Sequence, residues 1–414
     1  MQDLPLQDNP TFVLDNGAFT AKAGFTSQNQ ADIIPNYIVR SKFGQKRTHI
    51  GSEINENFNK ASLTYQYGFE RGYLLNWSVQ NAIWQLLFND YFKTLDPSES
   101  NIIITEPHLN PKSISNRMLE VLFEEYGFNA VYKTTSASLS AFKYSLCSTT
   151  NHSDKYCMIV ESGFSFSHII PFLNGCAMND GLLRIQIGGK LLTNYLKEVL
   201  SYRQLNVMHE TCVVNQLKED ACFVSLDYGS DISRSRMDGQ NGIRAEYLLP
   251  DFVNSFTSEL LSANKELASD KNYRQKICMN IERFCVPELL FNPNDVDIKQ
   301  DGISNSIIES ASRIKQKYGL YASVNLLGNI VLTGGNCKLN GIQTRVANDI
   351  RKQVDDAINI EVLQPSDPIT YAWSGAVSLA NTTNSDSIPN AINDLLISDQ
   401  STNGYTVVIY FDRV

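Results

Sequence analysis

The sequence predicts an α/β fold made of two similar halves, and three observations support this prediction. Short apolar runs alternate with stretches of helical periodicity along the chain. One pattern, a strand followed by an acid, any residue, a glycine and a second strand, occurs both near residue 15 and near residue 161. A glycine-rich turn follows a late strand, at 331–341. With 414 residues, the chain is also too long for one ordinary hydrophobic core.

Six apolar runs bounded by turn residues are predicted to form strands. Their residues are largely β-branched or aromatic, which suits a pleated and half-buried surface. The runs are "TFVL" (11–14), "NIIIT" (101–105), "YCMIV" (156–160), "SHIIPF" (167–172), "ACFVSLD" (221–227) and "GNIVLT" (328–333).

Two amphipathic helices are predicted between these strands from their apolar spacing. Each apolar stripe is expected to face the core rather than a partner. The stripe of 113–126 comprises Ile114, Met118, Leu122 and Tyr126, and that of 189–200 comprises Leu191, Leu192, Tyr195, Leu196, Val199 and Leu200.

The repeated pattern predicts two hairpins, "FVLDNGAFTAKAGF" (12–25) and "MIVESGFSFSHIIPFLNG" (158–175). Asp-Asn-Gly is a strong signal for a tight turn, because asparagine and glycine accept a positive φ. Two acid-tipped hairpins suggest half-domains that face each other. In "VLTGGNCKLNG" (331–341), backbone amides at the turn between a strand and a helix favour an anion or a ribose. Each hairpin or turn signal is weak alone. The order and spacing of the three together are much more specific.

Composition excludes several classes of protein. Hydrophobic residues make up 43% and charged residues 19%, and the net charge is −9, which disfavours a general nucleic-acid binder. The run Arg40, Lys42, Lys46 and Arg47 is either a solvated loop or a contact for a phosphate backbone or an acidic partner. The N-terminus lacks the charged and apolar regions of a signal peptide, and no apolar stretch is long enough to span a membrane.

The eight cysteines show no metal-binding spacing, so no zinc site is predicted. Several lie in apolar stretches, which is typical of small core residues in a reducing compartment. We therefore expect a cytosolic or nuclear protein.

Four further segments carry a resemblance that covers nearly the whole chain. "ERFCVPELLFNP" (282–293), "LKEDACFVSLD" (217–227), "LTGGNCKLNGI" (332–342) and "YAWSGAVSLA" (371–380) resemble segments of the actin superfamily. "GGKLLTNYLKEVLSYRQLNVMHET" (188–211), "YLLPDF" (247–252) and "DPITYAW" (367–373) resemble, more closely, the actin-related proteins of chromatin remodellers.

The resemblance implies an actin-like fold, in which two duplicated RNase-H-like domains surround a central nucleotide cleft. Domain I would comprise 1–150 and 372–414, with a small subdomain at about 37–75. Domain II would comprise 151–371, with its own subdomain at about 188–275.

The resemblance also implies the residues of the cleft. Asp15 and Glu161 would lie near a magnesium ion held through water, with no direct metal ligand. Lys22 would reach the β- and γ-phosphates, and His168 corresponds to the histidine near the attacking water. The implied positions are Asp15, Asn16, Gly17, Lys22, Glu161, Gly163, His168, Lys218 and Glu219 (adenine and ribose wall), and Gly334 and Gly335 (beside the α-phosphate).

This chain departs from the family at several of these places. Ala18 and Phe19 replace a serine and a glycine, so a hydroxyl and a close backbone approach are lost. Phe164 and Ser165 replace an aspartate and a glycine, and Glu161 is one methylene longer than the family's aspartate.

Two further positions differ. Ser136 stands where the family positions its lytic water with a glutamine, and Leu339 replaces an aromatic residue. Since phosphoryl transfer depends on positioning and charge stabilisation, the loss of two or three groups worth about 2–4 kcal/mol each would slow hydrolysis by orders of magnitude. The remaining groups leave binding of ATP or ADP with magnesium open, and we expect no useful hydrolysis of it. Alternatively, the hairpins keep these residues for folding, and His168 is a core residue.

The resemblance implies a non-catalytic structural subunit of a Swr-type remodeller, which exchanges a core histone for its Z variant and so supports transcription regulation. The implied partners are the motor ATPase subunit, a small zinc-finger HIT-type subunit, other subunits and, within the complex, the nucleosome. The implied location is the nucleus and also the cytoplasm. The stretch 37–54 is shorter than actin's filament loop, so we expect neither a self-filament nor a membrane contact.

Two alternatives remain at this point. A slow actin-like ATPase would cycle between conformations, and a chaperone or sugar kinase would share the fold. The chaperone or sugar kinase is disfavoured, because no peptide-binding domain and no base for a sugar hydroxyl are evident. Candidate docking surfaces are the loop in 37–54 and the polar stretch 228–245, which could equally be disordered.

Overall fold

The computed structural model describes residues 9–41, 47–56, 58–61, 63–147, 156–237, 242–261, 274–383, 397–398 and 406–409. Lys42 and Lys46 of the basic run and the tip of the loop in 37–54 lie outside these residues, as do positions 238–241 of the polar stretch.

The strands come from every part of the described chain. The first ten are β1 (Thr11–Asn16), β2 (Thr20–Phe25), β3 (Asp32–Pro35), β4 (Tyr37–Ser41), β5 (Thr48–Ile50), β6 (Leu63–Tyr67), β7 (Phe69–Glu70), β8 (Tyr73–Leu74), β9 (Asn101–Glu106) and β10 (Ala130–Thr135). The others are β11 (Tyr156–Ser162), β12 (Ser167–Leu173), β13 (Cys176–Ala177), β14 (Leu183–Ile185), β15 (Ala245–Leu248), β16 (Glu259–Leu261), β17 (Lys276–Met279), β18 (Ile330–Thr333), β19 (Val362–Leu363), β20 (Ile397–Ser398) and β21 (Thr406–Ile409).

The α-helices lie between groups of these strands. They are α1 (Trp77–Gln85), α2 (Lys112–Glu120), α3 (Ser136–Cys147), α4 (Gly189–Arg203), α5 (Thr211–Ala221), α6 (Tyr228–Arg234), α7 (Glu282–Glu288), α8 (Ile303–Tyr318), α9 (Leu320–Leu327), α10 (Ile342–Arg351) and α11 (Tyr371–Thr383).

The first half is organised around a seven-stranded sheet in the order β20-β21-β10-β9-β1-β2-β3. The hairpin β1–β2 is antiparallel, whereas β1, β9 and β10 run parallel to one another. Because a parallel sheet is covered on its faces, the central residues of β1 and β9 are apolar, and Phe12, Leu14, Ile102 and Ile104 are fully buried.

The second half repeats this arrangement around a sheet in the order β13-β12-β11-β18-β19, with β14 paired to β12. The hairpin β11–β12 is again antiparallel, and β11 and β18 are parallel. A separate and larger hydrophobic core, including Ile169, Leu196 and Ile307, lies under this half. The predicted α/β fold with two similar halves is therefore confirmed.

Smaller sheets lie outside these two. Strands β4, β5 and β6 form one of them, and β15, β16 and β17 form another. Within the described ranges, no helix combines the length and apolar content that a bilayer crossing requires.

Three local predictions need correction. The run 221–227 forms no strand, because α5 continues to Ala221 and only an isolated bridge joins Phe223 to Asn340. The helix predicted for 113–126 is α-helical only to Glu120 and becomes π-helical over Val121–Glu125. The start of the polar stretch is ordered as α6, whose first turn is capped when the Asp227 carboxylate accepts a hydrogen bond from the amide of Ser230.

The cysteines are only partly the core residues that the sequence predicted. Cys157, Cys222 and Cys337 are buried, and burial raises the pKa of each thiol to about 12. Cys147 and Cys176 are exposed instead. The described residues contain no group of three or more His, Cys, Asp or Glu side chains placed to hold a metal ion.

Candidate functional site

A cleft of about 700 Å³ lies where the two hairpins face each other. It brings together all the predicted site residues except His168. The predicted residues that line it are Asp15, Asn16, Gly17, Lys22, Glu161, Gly163, Lys218, Glu219, Gly334 and Gly335.

The first hairpin turns in a manner that the sequence did not predict. In the strand register Asn16 is opposite Ala21, and the turn is a longer loop, 17–19, between β1 and β2. Neither Asn16 nor Gly17 has a positive φ, so the expected tight turn is wrong. A Cβ atom on Gly17 would lie 2.7 Å from the carbonyl oxygen of Thr20. The loop itself therefore requires glycine at 17.

A buried ion pair lies beside the loop of this hairpin. The Nζ atom of Lys22 lies 2.9 Å from Oδ2 of Asp15, and both side chains are nearly buried. The hydroxyl of Thr105 donates a hydrogen bond of 2.7 Å to Oδ1 of Asp15 and accepts one of 2.9 Å from the amide of Asn16. The charge of Lys22 is thus balanced within the protein.

Asn16 belongs to a buried amide network behind the loop. The Asn36 amide donates to Oδ1 of Asn16 at 2.9 Å and to the carbonyl of Gly17 at 2.8 Å. Gln80 in turn donates to Oδ1 of Asn36 at 3.0 Å. These bonds fix the loop from the side away from the cleft, so Asn16 has a structural task of its own.

The carboxylate of the second hairpin is held by neighbours on both sides. The hydroxyl of Ser136, at the start of α3, donates to Oε1 of Glu161 at 2.5 Å, and Nδ1 of His168 lies 4.0 Å from Oε2. Burial raises the pKa of Glu161, but His168, Ser136 and the charge of Lys22 together lower it below the ordinary value. Glu161 is therefore ionised at neutral pH.

His168 lies behind Glu161 and not on the surface of the cleft. It faces Glu161 across the β11–β12 ladder, is fully buried and packs on Phe166 with ring centroids 4.2 Å apart. Among the described residues, neither ring nitrogen has a hydrogen-bond partner. The position fits a core residue that supports the carboxylate, which is the alternative the sequence left open.

The wall predicted for adenine and ribose is formed by α4 and α5. Buried Lys218 donates to Oδ1 of Asn215 at 2.9 Å and to the hydroxyl of Thr193 at 3.1 Å, and burial lowers its pKa. Glu219 is exposed and accepts a hydrogen bond of 2.8 Å from the Asn215 amide. A single asparagine thereby orients both residues.

The two glycines of the late turn differ in what the fold demands of them. Gly334 has a φ of +92°, and a Cβ atom there would lie 2.3 Å from the carbonyl oxygen of Ser162. A Cβ atom on Gly335 would meet nothing within 4 Å. Asn336 next to them donates to the carbonyl of Gly163 at 2.8 Å and joins this turn to the second hairpin. Gly334 is thus required by packing, and Gly335 faces open space in the cleft.

Aromatic rings join the tips of the two hairpins. Phe19, in the loop of the first, stacks on Phe164, in the loop of the second, with centroids 4.7 Å apart and an interplanar angle of 23°. Phe19 also stacks on Tyr37 at 5.1 Å, and Phe164 lies 5.5 Å from Tyr67. We call these four residues the aromatic cluster. It places hydrocarbon where the two loops come closest.

A second contact links the halves near the β7–β8 turn. The Arg184 guanidinium donates to the Tyr73 hydroxyl at 2.8 Å and to the carbonyl of Arg71 at 2.6 Å, and it also lies over the ring of Phe166. A Cβ atom on Gly72 would lie 2.0 Å from the Phe166 ring. Both of these contacts join the halves through the protein's own side chains.

Comparison with known proteins decides the family. The family model described as Actin matches residues 6–388. This chain belongs to the actin family. It is 38% identical over 379 residues to "Actin-related protein 6" of Drosophila melanogaster, which covers 91% of this chain and 94% of the relative. It is 32% identical to the protein of the same name in Neurospora crassa, over 91% of this chain and 89% of that protein. The actin-like fold and the resemblance to actin-related proteins are confirmed.

The actin fold implies a nucleotide with magnesium, and the cleft fits such a ligand in part. Its volume is sufficient for a nucleotide, and the open side of Gly335 leaves room beside the late turn. Asp15 and ionised Glu161 are suitable partners for magnesium-bound water. At the hairpin tips, the cleft fits a nucleotide less well, because the stacked rings of Phe19 and Phe164 lie there.

Sequence reasoning missed some residues of this actin-family cleft. Thr105 orients Asp15, and Asn215 and Asn336 orient the opposite wall. Thr105 could have been found, because it ends a predicted strand that lies parallel to β1. Asn215 could also have been found, because Lys218 and Glu219 follow it at helical spacing on α5. Asn336 had no signal, since its partner Gly163 lies in a distant part of the chain.

Proposed function

We propose that this actin-related protein is a non-catalytic structural subunit of a Swr-type chromatin-remodelling complex, which exchanges a core histone for its Z variant. The observation that carries the non-catalytic part is the stack of Phe19 on Phe164. In a nucleotide-driven actin fold, two loops at these positions close on a phosphate. Here they close on each other, so the closed form needs no ligand.

The groups around the stack support the same proposal. Ser136 uses its hydroxyl on Glu161 and so does not position a water for attack. The charge of Lys22 is already compensated by Asp15, which weakens its pull on a transferring phosphoryl group. In this proposal, the subunit contributes a rigid shape and binding surfaces, while the motor subunit hydrolyses ATP.

The likeness to the actin-related proteins named above supports our proposal of the complex, its partners and its location. We propose contacts with the motor ATPase subunit, a small zinc-finger HIT-type subunit, other subunits and the nucleosome. The proposed site of action is the nucleus, with a cytoplasmic pool before assembly. We propose no membrane contact and no self-filament. Bound ATP or ADP with magnesium would be a stabilising ligand rather than a substrate.

The test reconstitutes the remodeller with and without this chain and measures histone exchange. We expect omission to abolish assembly or exchange, whereas the cleft variant Asp15→Ala, at equal incorporation, leaves the exchange rate within about twofold. Unchanged exchange and assembly without the chain would rule out the structural role. A large loss of exchange by fully incorporated Asp15→Ala protein would rule out the non-catalytic assignment.

A slow ATPase is the second candidate, because Asp15, Lys22 and the glycines of the late turn still line one cleft. Single-turnover hydrolysis of ATP by the purified chain decides between the two. A measurable rate that Asp15→Ala abolishes would establish the ATPase. We expect the same negligible rate for both proteins.

A further inference from the structure

A second cavity of about 270 Å³, which we call the side pocket, lies beside the cleft. Phe19, Phe164 and Asn215 line both cavities, so the stacked rings form part of the wall between them. The implied nucleotide site makes no use of the side pocket.

One wall of the side pocket is aromatic. Tyr37, Tyr65 and Tyr67 line it together with Phe19 and Phe164. The rings of Tyr65 and Tyr67 stack with an interplanar angle of 12° and centroids 6.1 Å apart. Such a surface offers flat apolar area at low entropic cost, because each ring has few rotatable bonds.

The opposite wall consists of one face each of α4 and α5. Lys190, Thr193, Asn194 and Lys197 follow helical spacing on α4, and on α5 the same holds for Thr211, Cys212, Asn215 and Gln216. This wall is polar and includes no carboxylate. Asn194 and Gln216 are exposed, so the pocket opens to solvent between the helices.

The two lysines of this wall, Lys190 and Lys197, form no salt bridge with a carboxylate among the described residues. Lys190 lies 5.0 Å from the ring centroid of Tyr67, and Lys197 donates to the neutral Thr211 hydroxyl at 3.2 Å. Burial lowers the pKa of Lys197, Glu198 opposes this shift, and the charge of Lys190 adds to it. An anion placed here would relieve the repulsion between the lysines.

We propose that the side pocket docks an acidic peptide segment of a partner protein. One aromatic side chain of that segment inserts against Tyr37 and Tyr67, and carboxylates on either side of it meet Lys190 and Lys197. The proposal goes beyond the structural role above, because it assigns one surface and the chemistry of its ligand.

A peptide suits the side pocket better than other anions do. The volume is close to that of one large side chain, and the exposed rim at Asn194 and Gln216 lets a chain continue on both sides. A nucleic acid would need a protein surface whose positive charges follow the phosphate backbone, but this pocket is lined by two lysines in a chain with a net charge of −9. Opposite charge and an apolar anchor together select an acidic aromatic segment.

The test measures fluorescence anisotropy of the full-length protein with a labelled seven-residue peptide, in which three glutamates flank each side of a central tryptophan. We expect saturable binding. Replacing the tryptophan with alanine, or the glutamates with lysines, should weaken binding about tenfold or more. The double variant Lys190→Gln/Lys197→Gln should lose binding to the same extent.

Two further variants distinguish binding in the side pocket from a general effect of charge and from misfolding. Asn194→Trp places a ring in the pocket from an exposed helix position and should also weaken binding about tenfold, with an unchanged melting temperature. Replacing two exposed lysines elsewhere, Lys93→Gln/Lys299→Gln, removes the same charge and should leave affinity unchanged.

Several outcomes would overturn the proposal. They are the absence of saturable binding, equal binding of the peptide without tryptophan, and an equal loss with the control lysine pair. Tighter binding of a 20-base-pair DNA duplex, with the same dependence on Lys190 and Lys197, would assign the surface to nucleic acid instead. Displacement of the peptide by millimolar inorganic phosphate would make it a small-anion site.

Discussion

Phe19 and Phe164 occupy the loops of two related hairpins and stack on each other with ring centroids 4.7 Å apart. The resemblance implies that each ring replaces a small or acidic residue that serves a nucleotide in the actin family. The substitution therefore changes both sides of one contact, and the result is an apolar interaction between the halves. A closed body that does not depend on ligand suits a protein that presents fixed surfaces to partners.

The first prediction concerns this stack. Phe19→Ala and Phe164→Ala should each lower the free energy of unfolding by about 1–2 kcal/mol, and the double variant should lose about 1 kcal/mol less than their sum. The deficit arises because the two rings share one interaction. Denaturant unfolding of the four proteins in the cycle measures it.

A pair without contact is the control for this cycle. Phe19→Ala combined with Tyr321→Ala, which removes an exposed ring that packs on Tyr156, should be additive. Additivity of Phe19→Ala and Phe164→Ala would show that the stack does not couple the halves.

The second prediction uses the adjacent glycines of the late turn. Gly334→Ala should destabilise the protein by more than about 2 kcal/mol, because its φ is +92° and its Cβ would overlap Ser162. Gly335→Ala should stay within about 0.5 kcal/mol, because its Cβ would enter open space. Thermal and denaturant unfolding of both variants check this, and equal effects would contradict the different packing of the two positions.

The third prediction concerns the ion pair of the first hairpin. Lys22→Met should cost about 3 kcal/mol of stability, because it leaves the Asp15 carboxylate buried without its cation. Lys22→Met/Asp15→Asn should recover part of that loss, since no uncompensated charge remains. If the double variant is less stable than Lys22→Met, the charge on Asp15 is stabilised by something other than Lys22.

The fourth prediction is a pH dependence that arises from Glu161. Burial raises the pKa of Glu161, but His168, Ser136 and Lys22 hold it below the ordinary 4.5. The ionised form therefore stabilises the fold at higher pH, and this contribution disappears as the pH falls from 4.5 through the lower pKa of the folded state. The stability difference between the wild type and Glu161→Gln should be constant near neutral pH and shrink in that acidic range.

Unfolding free energies measured across pH check this difference. Glu309→Gln, at a partly exposed position on α8, controls for the general effect of removing a carboxylate. A difference that grows as the pH falls would mean that the pKa of Glu161 is raised instead.

Much of the cleft could be predicted from the sequence because hairpins are local. The apolar runs around Asp15 and Glu161 made the two hairpins visible, and the glycine pair at 334–335 marked the third loop. Ten of the predicted positions line one cavity. The prediction of a tight turn at Asn16 was wrong. The conformation there is set by the amide network with Asn36 and Gln80, which come from distant segments.

The sequence by itself determined the α/β class and the duplicated hairpins, since these depend on residue types at neighbouring positions, and its resemblance to the family predicted the loss of groups that hydrolysis needs. Only the tertiary structure decided what replaced them: Phe19 stacks on Phe164, Lys22 is neutralised by Asp15, and His168 lies behind the cleft. The physical reason is that distance, burial and charge compensation depend on residues far apart in the chain. Their proximity exists only after the two sheets have formed and the halves have closed on each other.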